Sequence, residues 1–126
     1  MYFEFADSEV AQCIWEAGRL QLRFAAARLQ DAQDPRADAV WAPLLLQAEN
    51  VEQPWETVEP AACIGRLNHG VVLHASQRIQ QLPVPCELQG VVTMELEFAQ
   101  GAVLRLRCDS LSLHPVQGVV TAAYQC

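Results

Sequence analysis

The sequence predicts an all-β domain, an antiparallel β-sandwich or a partly closed barrel of roughly 8–10 short strands with at most one short helix. Three observations predict it. Stretches of strictly alternating apolar and polar residues recur along the 126-residue chain, and a period of two marks a strand with one dry and one wet face. Turn residues (Gly, Pro, Asn, Asp) punctuate these stretches about every ten residues. Neither a strand–helix alternation nor an internal period is present, so a parallel sheet and a repeat architecture are not expected.

In chain order, Tyr2-Phe3-Glu4-Phe5 reads as a short first strand. Residues 8–17 are open to two readings. As a helix they align Val10, Cys13, Ile14 and Ala17; as a strand they set Ala11, Cys13 and Trp15 against Leu20, Leu22 and Phe24 across an Ala17-Gly18 turn. The alternation of Arg19-Leu20-Gln21-Leu22-Arg23-Phe24 favours the hairpin. Leu20 to Leu29 is a firm strand, and Gln30 to Asp38, broken by Pro35, is a polar loop. Its aspartates lack the spacing and the closing glutamate of a calcium loop. Val40 to Ala48 follows, with Pro43 marking an edge or bulge. Glu49 to Pro60 reads as an acidic connector carrying Trp55.

Ala62 to Leu67 and Val71 to His74 suggest a second hairpin about Asn68-His69-Gly70. Arg78 to Leu82 is a short strand closed by Pro83 and Pro85, and Gln89-Gly90 turns into the most legible stretch, Val91 to Cys108. There Val92, Met94, Leu96 and Phe98 alternate with Thr93, Glu95 and Glu97. A three-residue loop, Ala99 to Gly101, sets Leu96 opposite Leu104, Met94 opposite Leu106 and Glu95 opposite Arg105, with Gly101 at the position that needs a positive φ. A two-residue loop would bury Arg105 against Leu96, so the apolar pattern fixes the register. Leu111 and Leu113 continue the alternation to Pro115, and Gly118 marks a turn before Val119 to Tyr124.

Length and composition bound the role. A chain of 126 residues is one domain (1–126), able to bury about two-thirds of its unfolded surface. No apolar run approaches the ~20 residues of a membrane span, and Met1 to Phe5 lacks the features of a signal peptide, so a cytoplasmic protein off the membrane is expected. All eight basic residues are arginine, which fits the GC-rich coding of a bacterial-type gene, and the net charge of −7 argues against nucleic acid. Five cysteines without CxxC spacing read as small buried apolar residues.

Catalytic signals are weak. His69 and His74 with an acidic partner could serve a metal-dependent enzyme, but their spacing is wrong for a strand-borne ligand pair, so neither metal nor cofactor is expected. Burial should raise the Cys63 thiol and leave it inert, and no cysteine reads as a nucleophile. No serine lies in GxSxG, and no phosphate-cradling glycine motif occurs. Glu95 and Glu97 face Arg105 and Arg107 as a charge-matched outer face rather than a carboxylate pair for glycoside hydrolysis.

Two kinds of binding residue remain. Trp55 and Trp41 are candidate aromatic anchors for a protein partner. Arg19, Arg23, Arg105 and Arg107 would form an anion patch if their strands were neighbours. The favoured role is a non-catalytic interaction or self-assembly module, a homo-oligomer or the partner of another protein. The alternatives are a binder of a small apolar or anionic ligand in a cavity lined by Trp41, Phe24 and Phe98, and the metal enzyme.

Overall fold

The computed structural model describes residues 1–34, 36–52 and 59–116. The alternating stretches form β1 (Tyr2–Glu16), β2 (Arg19–Gln30), β3 (Val40–Glu49), β4 (Gly65–His74), β5 (Gln77–Ile79), β6 (Gln81–Pro83), β7 (Cys86–Phe98) and β8 (Val103–Pro115), with a 3₁₀ turn at Pro60–Ala62. Every pairing is antiparallel, in the order β5-β4-β7-β8-β3-β2-β1-β6. A further pairing of β4 with β1 closes the six long strands into a barrel. The expected all-β architecture is present in its barrel form.

The β7–β8 hairpin has the register that its apolar pattern demands: Leu96 faces Leu104, Met94 faces Leu106 and Glu95 faces Arg105. Its loop is Ala99 to Gly101, with Gly101 at φ +105°. The Phe98 amide donates to the Ala102 carbonyl at 2.8 Å and closes the loop. The β1–β2 hairpin turns at Ala17-Gly18, both at positive φ, the two-residue turn whose twist matches the strands. Trp15 and Cys13 meet Leu20 and Leu22 as expected, but a bulge sets Val10, not Ala11, opposite Phe24.

Four readings are corrected. Residues 2–16 form one bent strand, not a short strand followed by a second element. Asn68-His69-Gly70 is not a turn: β4 runs straight through it, with a register shift between Leu67 and His69. A glycine inside a strand can mark close approach as well as a turn, and Gly70 is the former. A Cβ there would stand 2.5 Å from the Phe5 Cβ and Cγ and 2.8 Å from a Leu96 methyl carbon. Gln89-Gly90 is likewise a bulge within β7, where the partners jump from Gln89–Ser110 to Val92–Cys108 and Gly90 takes φ +93°. Finally, the Arg78–Leu82 candidate divides at Gln80 into β5, paired with β4, and β6, paired with β1. Pro43 does fall at a bulge, between the Leu44–Phe24 and Ala42–Ala27 pairs.

Alternate residues of all six long strands fill the barrel. Phe3, Phe5, Phe24, Phe98 and Met94, with the inward-facing leucines of β2, β3, β7 and β8 such as Leu22, Leu46, Leu96 and Leu106, form its core. Phe3 packs edge to face on Phe5 (4.9 Å between ring centroids) and on Phe24 (5.0 Å), each pair adding ~0.5–1.5 kcal/mol beyond the area it buries. β1 and β4 share only the pairs Glu9–Arg66 and Val10–Gly65. Beyond them Phe5 covers Gly70, and the β5–β6 arm spans from one strand to the other.

Two outcomes follow from this packing. Gly70→Ala should cost about 1–3 kcal/mol through overpacking, seen as a lower urea midpoint. Burial also raises the Cys108 thiol from 9.0 to about 11, with Asp109 adding and a hydrogen bond at the Ser110 backbone opposing. The unfolded thiol therefore ionises first. Stability from this group is present in full below pH 9.0 and is lost as pH rises towards about 11. In Cys108→Ala, urea unfolding should show a smaller loss of stability across that range.

Candidate functional site

The barrel seam carries the densest polar network among the described residues. From Glu4 to Glu9, β1 bulges against β2, because the pairs Glu4–Arg28 and Glu9–Ala26 leave four β1 residues opposite Ala27. Asp7 sits at φ 70° in this bulge, a conformation that Asp tolerates better than most residues. Ser8, fully buried, fills the broken ladder. Its hydroxyl donates to the Glu4 carbonyl at 2.6 Å and accepts from the Arg28 amide at 2.8 Å. Above it the Arg28 guanidinium lies 3.4 Å from Glu4 and 3.6 Å from Asp7, and Gln81 of β6 donates to Glu4 at 2.7 Å. Asp7 also reaches Arg66 of β4, at 4.0 Å.

A groove of about 380 Å³ opens beside this network, with His69 and Gly70 on one wall and Glu4 and Gln81 on the other. The polar groups beside it are already partnered. The Glu4 carboxylate is engaged by Arg28 and Gln81, and the Ser8 hydroxyl is committed to backbone. His74 is five residues further along β4, roughly 16 Å away at the rise of an extended strand, so the two imidazoles do not converge. No three His, Cys, Asp or Glu side chains among the described residues stand close enough to hold a metal ion.

A second groove, of about 470 Å³, is mainly apolar. It lies on the outer face of β4 and β7, where Leu73 is 44% exposed and Val91 51% exposed. Val91 follows the bulge at Gly90 on the outer face that Thr93 and Glu95 share, and His74 Nε2 donates to the Gln89 carbonyl at 2.8 Å, holding the bulge to β4. The alternation of Val92, Met94, Leu96 and Phe98 already puts Val91 on the outer face with Thr93 and Glu95. Leu73 sits in an apolar run that hides its side, and nothing local to either residue showed that β4 and β7 would be neighbours.

Among the residues singled out from sequence, Trp41 is 48% exposed on β3 and lies opposite Arg28 of β2. It therefore does not share an interior with Phe24 and Phe98, which are fully buried. Trp55 lies outside the described residues. Arg19 and Arg23 are on β2 and Arg105 and Arg107 on β8, with β3 between them. Arg105 and Arg107 pair with Glu95 and Thr93 of β7, beyond the part of β8 that β3 contacts. Arg19 meets Glu49 at 2.8 Å and Arg105 meets Glu95 at 3.1 Å. The four arginines are not brought together.

The thiols divide into two kinds. Burial raises Cys86 and Cys108. Cys63, however, is lowered, because the Cys13 S–H donates a hydrogen bond to it, and Cys13 is raised by that bond and by burial. The expectation that burial alone would govern Cys63 is thus corrected; its partner lies on another strand.

Ser8→Ala would leave the Arg28 amide without its acceptor, at a cost of about 1–3 kcal/mol. Hydrogen exchange at that amide should accelerate while the β7 and β8 amides stay protected. Comparison of the chain with protein-family models, curated proteins and solved structures finds no match.

Proposed function

We propose that this barrel is a non-catalytic assembly module that associates through its outer surface, with a second copy of the chain as its first partner. The observation that carries the reading is the pair of solvent-exposed aliphatic side chains, Leu73 and Val91, on adjoining strands around an apolar groove. An exposed apolar cluster of this kind is worth covering, at ~25 cal/mol per Å² of apolar surface removed from water. The interior supports the reading too, because Phe3, Phe5, Phe24 and Phe98 fill the space where a barrel of this type would hold a ligand. A cytoplasmic setting goes with it, where Cys13, Cys63, Cys86 and Cys108 stay as thiols. The net charge of −7 sets a condition. Copies repel at low salt, so association should strengthen as salt screens the charge.

Light scattering coupled to size exclusion tests this. The expected result is a mass that is a multiple of 14.0 kDa and rises with concentration and salt. Leu73→Glu and Val91→Glu should shift the protein to monomer with an unchanged circular dichroism spectrum. A monomer at every concentration and salt level would overturn the reading.

A further inference from the structure

The cysteines contain a feature that the assembly reading does not use. Cys13 is on β1, half-buried, with its side chain on the face that Leu22 shares. Cys63 follows the 3₁₀ turn Pro60–Ala62 and is buried in the core. The two come together because the β1–β4 pairing begins with Val10 opposite Gly65. Antiparallel continuation past that pair carries the chain from Cys63 to Gly65 alongside Val10 to Cys13. The thiols are close enough for each to perturb the other's ionisation, and the Cys63 S–H donates to the Glu59 carbonyl at 3.7 Å. Cys63 is held on its far side as well: Gln100, in the β7–β8 loop, donates to the carbonyls of Ala62 (2.8 Å) and Ile64 (3.0 Å). Two thiols fixed side by side, one reachable from solvent and one not, are the arrangement of an entry cysteine and a resolving cysteine.

We infer that Cys13 and Cys63 form a redox-active dithiol that low-molecular-weight disulfides oxidise reversibly to an intramolecular disulfide. The first proton leaves the pair readily, because the remaining S–H stabilises the thiolate beside it. Passage of the shared proton to Cys63 places the thiolate on Cys13, the exposed member. Its sulfur attacks an external disulfide RSSR, forming Cys13–S–SR and releasing RS⁻. Cys63, once deprotonated, attacks Cys13 Sγ; the Cys13–SR bond breaks and a second RS⁻ leaves. Two thiols lose two protons and two electrons, and RSSR becomes two RSH. The new bond fastens the segment that starts β4 to β1, at the one place where these strands are joined by ladder pairs.

Incubation of the full chain with oxidised glutathione, followed by alkylation and peptide mapping, tests the inference. The expected product has lost two hydrogens and contains a Cys13–Cys63 cross-linked peptide, which reduced glutathione reopens. Its thermal midpoint should exceed that of the reduced protein, because a bridge across so long a stretch of chain restricts the unfolded state. In Cys63→Ser, the reaction should stop at glutathione attached to Cys13; in Cys13→Ser, Cys63 should stay unmodified in the folded protein. The mapping of the unaltered chain keeps the test valid if either variant fails to fold. Recovery of both residues as free thiols after oxidation, or of Cys13 bridged to a different cysteine, would overturn the inference.

Discussion

The contact of Phe5 with Gly70 is the constraint on which the barrel depends. Twisted sheets close only where the first and last strands meet, and here that meeting has two ladder pairs to hold it. In the middle of the seam, an aromatic ring lies over a glycine, replacing hydrogen bonds with close packing. The same ring packs on Phe3, and Phe3 on Phe24 of β2, so the closure and the core are one structure. The rest of the seam is adjusted to it. The β1 bulge lets the chain approach at Phe5, Ser8 satisfies the backbone groups which that bulge separates, and β5 and β6 cover the remaining gap.

Most of the fold was legible in the sequence because a dry interior imposes a period of two on every strand that lines it. The β7–β8 register could be argued residue by residue, since a slip would have put Arg105 against the core. What the sequence hid were the irregularities. Gly70 and Gly90 both resembled turn signals. One is a place where only hydrogen fits between two elements, and the other a bulge inside β7 that shifts its pairing with β8 by one residue. A glycine's reason is a property of what lies opposite it, and that neighbour is remote in the chain. Ser8 shows the same limit, since its value lies in bonds to Glu4 and Arg28 made across a break in pairing.

The candidate sites were less legible for a related reason. Arg19 and Arg23 alternate as visibly as Arg105 and Arg107, but periodicity says nothing of strand order, and β3 separates the two pairs. Trp41, a candidate anchor, is 48% exposed, and its cross-strand neighbour Arg28 gives it a charged surround. The apolar surface of Leu73 and Val91 depends on β4 lying beside β7, and the meeting of Cys13 with Cys63 on barrel closure. Both are consequences of topology, which a single strand cannot announce.

The shortness of β5 and β6 has a bearing on how such a barrel can meet other chains. These two strands are the ends of the sheet, and each offers only three residues of backbone. A neighbour seeking to extend the ladder would gain too few hydrogen bonds to offset its loss of freedom. Any contact between copies would fall instead to side chains on curved faces, where two-fold symmetry can satisfy both surfaces at once and growth stops. The architecture thus permits finite complexes and discourages filaments.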